Sequence, residues 1–265
     1  MSNEPNGFAK YLVIFVDILG SQNRVDFQET YKINKIFHEE LERNKQNDMM
    51  HTVYFRKIYT FSDCAYIFYG FKDGISDERK DEGELFKVAL CNCEPIFLRF
   101  IKERILFRGG ISYGDAYVDP SKSMFFGDAV NKAYKMESEI AIHPRIVIDD
   151  YISSVKYKIV AKNPEYISIL GAGLVPKMPG TGEGIIEQDI DEKYIYNYLH
   201  FPENNIILQD YYLSGESFIK ELIDFCFDQI DRNMNYKIID KYFYLQRFAQ
   251  NKLENLLMSS DCDLQ

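Results

Sequence analysis

Two aspartates, Asp17 and Asp63, each stand where an apolar, strand-like run ends. In Lys10-Tyr11-Leu12-Val13-Ile14-Phe15-Val16-Asp17-Ile18-Leu19-Gly20 a β-branched and aromatic run delivers a carboxylate to a glycine turn. Asp63 falls at the tip of a predicted hairpin, between Tyr54-Phe55-Arg56-Lys57-Ile58-Tyr59-Thr60-Phe61 and Cys64-Ala65-Tyr66-Ile67-Phe68-Tyr69. If those strands are neighbours in one sheet, both carboxylates leave it at the same edge, an arrangement that holds two divalent cations over a polyphosphate. The turn after Asp17 could offer backbone N–H groups of Ile18, Leu19, Gly20 and Ser21 to phosphate, and the Ile18 carbonyl to a metal. Taken singly, either aspartate reads more simply as a strand-end turn residue.

The elements that must position this pair are set by periodicity. Residues 10–18 read as a buried strand, and 22–45 as an amphipathic helix carrying Phe27, Tyr31, Phe37 and Leu41. The hairpin covers 51–61 and 64–70. A charged loop, Lys72 to Glu84, leads to a helix from Leu85 to Lys102, with Pro95 as a kink or a start. The run Ile105 to Val118 is a strand unusually rich in glycine, which marks a bulge or the close approach of a ligand or another backbone. Residues 128–142 read as helix and 144–149 as a short strand. The order strand, helix, strand, strand, helix, strand predicts an α+β fold with a ferredoxin-like βαββαβ sheet. Beyond it, 156–170 and 183–189 read as strands, and Asp210–Asn233 and Ile238–Leu257 as amphipathic helices. The expected division is a catalytic core over 1–155 and a C-terminal elaboration over 156–265 packed on it.

Composition narrows the function. The 265 residues are 46% hydrophobic and 15% aromatic, ample for a core, and the net charge is −10. A chain that acidic, with no basic run interleaved with aromatics, is not built to neutralise nucleic-acid phosphates. A small anionic substrate is compatible if metal ions screen it. Cys64, Cys91, Cys93, Cys226 and Cys262 form no CxxC pair and no zinc-like spacing with His38, His51, His143 and His200, so buried, reduced thiols are expected. No signal peptide opens the chain and no apolar run reaches the roughly 18 residues of a membrane span. A soluble, cytoplasmic protein is the expectation. Gly180-Thr181-Gly182-Glu183-Gly184 lacks the Lys-Ser/Thr of a phosphate loop and reads as a turn.

Four segments, in order, resemble one enzyme family: Phe15-Val16-Asp17-Ile18-Leu19-Gly20-Ser21, Ser62-Asp63, Arg108-Gly109-Gly110-Ile111-Ser112-Tyr113-Gly114-Asp115, and Phe126-Gly127-Asp128-Ala129-Val130-Asn131-Lys132-Ala133. They are similar to the F-x-D-I-x-G turn, G-D hairpin, R-x-G-I-x-x-G strand and G-D/N-x-V-N-x-A helix start of the class III nucleotidyl cyclases. The resemblance covers most of residues 10–140. It implies two Mg²⁺ or Mn²⁺ ions held by Asp17, Asp63 and the Ile18 carbonyl, phosphates over Ile18 to Ser21, and a ribose oriented by Asn131. It also implies a homodimer with active sites at its interface. Lys135 stands where the family has an arginine that stabilises the transferring phosphoryl; it keeps the charge and loses the planar fork.

Base choice departs further. Tyr59 and Met124 occupy the positions at which adenylyl and guanylyl cyclases carry their base-reading pairs. A tyrosine there shrinks the pocket toward a single-ring base, and the chain resembles in this the pyrimidine cyclases of bacterial antiphage (Pycsar) systems, with Arg108 as second base contact. Uracil, whose carbonyls suit the donors of Arg108, is preferred over cytosine. The implied activity is conversion of UTP to 3′,5′-cyclic UMP and pyrophosphate, with a separate effector sensing the product. CTP, ATP or GTP as substrate, and an inactive nucleotide-binding or dimerisation module, stay open. So does the plainer reading of Tyr59 as a packed strand aromatic and Arg108 as an ion-pair residue.

Overall fold

A computed structural model describes residues 7–21, 24–45, 52–119, 121–155, 184–200 and 214–262. The strands are β1 (Ala9–Ile18), β2 (Tyr54–Phe61), β3 (Cys64–Phe71), β4 (Phe107–Asp119), β5 (Met124–Phe126), β6 (Ile146–Ile148), β7 (Ile186–Gln188) and β8 (Tyr194–Tyr196). The helices are α1 (Phe27–Lys45), α2 (Glu82–Lys102), α3 (Asp128–Lys135), α4 (Gly215–Arg232) and α5 (Tyr236–Cys262). The sheet runs β2-β3-β1-β4-β6-β8-β7, with β5 paired to β4 alone. All neighbours are antiparallel except β4 and β6. Its first four strands, in the order 2-3-1-4 with α1 and α2 as connections, form the ferredoxin-like α+β arrangement that the sequence predicts.

Strand alternation sorts β1 into two faces. Leu12, Ile14, Val16 and Ile18 join Phe37 and Leu41 of α1 and Phe86, Leu90, Phe97 and Phe100 of α2 in the main core. Val13 and Phe15 point the other way, onto Ala129, Val130 and Ala133 of α3. Helix α2 starts earlier than its apolar pattern, because Asp81 caps it by accepting from Gly83 N and Glu84 N. Pro95 lies inside that helix, not at its start. Helix α1 begins at Phe27 instead of residue 22, and β4 at Phe107 instead of 105. Short β8 has no counterpart in the sequence reading, since three residues are too few to show a period. The strand expected at 156–170, Gly180 to Glu183 of the glycine-rich stretch, and His51 lie outside the described residues. Among the described residues no helix is long and apolar enough to cross a membrane.

The glycine-rich strand makes room for a backbone. Helix α3 crosses over β4 on its way to the parallel strand β6, and it rests where a side chain of Gly110 would stand. A Cβ there would overlap the Ala133 carbonyl oxygen and lie 2.7 Å from Cβ of Met136. Ser112, also facing α3, donates its hydroxyl to the Ala129 carbonyl at 2.6 Å. Gly110→Ala should therefore destabilise the fold by about 1–3 kcal/mol through overpacking. Urea unfolding of the variant measures this, and an unchanged midpoint would show that α3 does not sit so close.

Candidate active site

Strand β1 ends beside the β2–β3 turn. Ile18 N donates to the Asp63 carbonyl at 2.9 Å, and Asp17 stands opposite Cys64 in the ladder. This pairing brings both aspartates to one edge of the sheet. Ser62 adopts a left-handed φ of 50° to make the turn, and His38 Nε2 of α1 donates to its carbonyl at 2.9 Å.

Alternation carries Asp17 onto the α3 side, behind Val13 and Phe15. Arg108, its ladder partner on β4, emerges on the same side. Arg108 Nε lies 3.7 Å from Asp17 Oδ2 and 2.6 Å from Glu137 Oε1, the latter a charge contact without hydrogen-bond alignment. Glu137 occupies a single π-helical turn, Met136–Ile140, that continues α3, and its side chain is 4% exposed. Sequence reasoning missed it. The signal was present: Ala129, Ala133 and Glu137 form an i, i+4, i+8 stripe, so a carboxylate stands at an inward position.

The electrostatics of this edge are dominated by desolvation. Burial, and then the Asp63 charge, push the Asp17 carboxyl up to about 6, against the pull of Arg108 and Lys241. Burial pushes Glu137 up to about 7, with Arg108 opposing and Asp17 adding. Burial and the neighbouring carboxylates push the Cys64 thiol up to about 12, so it stays protonated and is no nucleophile. Asp17 and Asp63 thus repel each other, and a divalent cation at the edge would relieve that repulsion. Among the described residues no three ligating side chains converge. Water and the ligand's own phosphate oxygens would complete the coordination shell, the usual manner of Mg²⁺.

The turn after Asp17 is partly committed. The amides of Ile18 and Leu19 donate to the Asp63 and Leu106 carbonyls, so the amides of Gly20 and Ser21 are the ones without a backbone acceptor among the described residues. Gly20 has φ +82°, and Arg24 Nη2 braces the turn by donating to the Leu19 carbonyl at 2.8 Å.

The other candidates lie apart from this edge. Tyr59 packs against Phe68 and Phe125, with ring centroids 5.7 and 4.9 Å away, and its buried hydroxyl has no partner among the described residues. Phe125 belongs to β5, where alternation turns the neighbouring Met124, which is exposed, to the opposite side of the strand, so Met124 does not join Tyr59 on the α3 face. Tyr59 and Arg108 are separated by strands β3 and β1, about 16 Å across the sheet at ordinary spacings. Asn131 and Lys135 are exposed one turn apart on α3, while Lys132 between them pairs with Asp149 at 2.6 Å. A further residue comes from the far end of the chain. Lys241 of α5 is half-buried near Asp17 and Arg108; burial and Arg108 push its ammonium below the usual lysine range, and Asp17 opposes them. Nothing in the sequence around Lys241 marks it.

No family model and no curated protein matches this chain. A solved structure, that of the monomeric guanylyl cyclase domain of the RhoGC fusion protein from the aquatic fungus Blastocladiella emersonii, is similar at 15% identity, covering 73% of this chain and 98% of that one, with a TM-score of 0.44. A likeness of that score carries no inference about activity.

The raised carboxyls have a consequence for stability. An unfolded chain releases the Glu137 proton near its ordinary 4.5, whereas the folded chain holds it to about 7. Between those values the folded state binds more protons, so the contribution of Glu137 to stability falls as pH rises through that window. In metal-free buffer, Glu137→Gln should gain on the wild type by on the order of 2 kcal/mol between pH 4.5 and 7.5. Urea melts at both pH values check this; a difference independent of pH would contradict it.

Proposed function

We propose that this protein is a nucleotidyl cyclase, and that its substrate is a pyrimidine nucleoside triphosphate, UTP before CTP. The observation that carries the reading is the convergence of Asp17 and Asp63 at one sheet edge, beside a glycine turn whose Gly20 and Ser21 amides have no backbone acceptor among the described residues. In the reaction the ribose 3′-oxygen bonds to the α-phosphorus, the α–β anhydride bond breaks, and pyrophosphate leaves. Divalent cations, when bound, would neutralise the triphosphate and activate the 3′-hydroxyl.

The chain's own residues set the geometry. Asp17 and Asp63 hold the cations, and Arg108, anchored by the buried Glu137, keeps Asp17 oriented. Gly20 and Ser21 donate to phosphate oxygens. Asn131 and Lys135, exposed on α3, are free to reach a nucleotide held by a second copy of the chain, in keeping with a homodimeric site. Tyr59 supports the pyrimidine choice: a bulky ring narrows its end of the face, and its buried hydroxyl, which has no partner among the described residues, would have a hydrogen bond to give to a base that opened this packing. Arg108 would read the base from the opposite copy to Tyr59, since within one chain the two stand about 16 Å apart across the sheet. The cyclic nucleotide would serve as a second messenger for a separate effector, as in the antiphage systems the sequence resembles.

Incubating the full chain with each of the four nucleoside triphosphates and Mn²⁺ tests the reading. The expected product is cyclic UMP, with less cyclic CMP. Asp17→Asn should lower turnover on the order of 10³-fold, as loss of charge stabilisation at the reacting phosphate does. A purine product would overturn the pyrimidine choice. Nucleotide binding with no product from any triphosphate would leave a binding module.

A further inference from the structure

A second group of charges lies on the outer side of the glycine turn. A pocket of about 360 Å³ opens there between Gly20 and Arg24 on one side and Gln229, Asn233, Ile238 and Lys241 of the α4–α5 pair on the other. Arg24 spends Nη2 on the Leu19 carbonyl, but its Nη1 is buried and has no hydrogen-bond partner among the described residues. Lys241 is half-buried and likewise makes no ion pair among the described residues. Two carboxylates share the pocket. Asp26 Oδ1 is occupied as the cap of α1, accepting from Glu29 N at 2.8 Å, and Glu29 itself is exposed on the first turn of that helix.

Two partly desolvated cations that make no ion pair among the described residues are costly in an unliganded fold, and an anion between them lowers the cost. The position of the pocket says which anion. Lys241 is close enough to Asp17 and Arg108 for their charges to act on it. Leu19 and Gly20, in the turn that follows Asp17, line the pocket themselves, so the pocket lies beside the aspartate edge. A chain of phosphoryl groups carries charged oxygens along its length, which suits two separate cations and the turn beside them better than a single carboxylate or phosphate does. Lysine, as a compact point charge, suits the terminal phosphates, and the unused arm of Arg24 suits an oxygen beside it.

We propose that Lys241 and Arg24 hold the β- and γ-phosphates of the substrate, so that the α4–α5 pair is part of the active site; the inference rests on the nucleotide-cyclising reading above. In that role Lys241 stabilises charge that builds on the oxygen between the α- and β-phosphorus as that bond breaks, and it retains pyrophosphate until the product leaves.

Titration calorimetry of the full chain with inorganic tripolyphosphate, in Mg²⁺ buffer, tests the assignment. Lys241→Met should weaken binding about tenfold or more, the fold-change of one lost charge-assisted hydrogen bond, and Lys241→Arg should recover most of it. The urea midpoint of Lys241→Met should equal or exceed that of the wild type, since the variant removes a partly buried charge that makes no ion pair among the described residues. Equal tripolyphosphate binding by wild type and Lys241→Met, or none by the wild type, overturns the proposal even where nucleotides are turned over. Binding that Lys241→Met weakens, in a protein that cyclises no triphosphate, keeps the anion subsite and overturns only the cyclising reading.

Discussion

The missing side chain of Gly110 is the constraint on which the site depends. Because nothing projects from β4 at that point, α3 lies directly on the strand, with the Ala133 carbonyl and Met136 filling the space. That seat fixes where the rest of the helix falls. Ala129 and Val130 close the small second core against Val13 and Phe15, and the next inward position after Ala133 brings Glu137 down on Arg108. Arg108 is in turn the ladder partner of Asp17. A chain of contacts thus runs from one glycine, through a helix, to a carboxylate at the edge of the sheet.

The charges at that edge are balanced in an unusual way. One guanidinium faces two carboxylates, Asp17 and Glu137, with Asp63 adjoining, and burial costs more than Arg108 returns for either. A structural ion pair would do better with one partner. The surplus of negative charge is useful where a cation is to bind, because its arrival removes a repulsion the fold otherwise carries. The π-helical turn that holds Glu137 belongs to the same design, such turns being rare and often found at functional sites.

The C-terminal part of the chain is tied to this arrangement rather than hung on it. Strand β8 pairs with β6, so the sheet continues across residue 155, and Leu222, Cys226, Leu245 and Phe248 of α4 and α5 join the main core. A buried network reinforces the join: Arg145 reaches Asp189 and Asp191, and Tyr244 of α5 donates to Asp189 at 2.8 Å. Buried charges are tolerable there because each finds a partner. Helix α5 is thereby held in a set position relative to β6, and with it the place of Lys241 beside Asp17.

Much of the fold was legible in the order of residues, since strand alternation, helical period and turn chemistry are properties of near neighbours. Strand β1, the hairpin with Asp63 at its tip, α2 and the 2-3-1-4 sheet arise from such local signals, and the glycines of β4 announced a close approach. The capped start of α2 and the three-residue β8 escaped because a cap shifts a boundary and three residues carry no period. For the site, the sequence determined which carboxylates end strands. Only the tertiary structure decided that Arg108 meets Asp17 and Glu137 inside one chain, that Tyr59 lies two strands beyond Asp17, and that a lysine from the last helix comes near that edge. The reason is physical: whether a charge is buried, paired or left waiting depends on elements brought together from far along the chain, which no local pattern encodes.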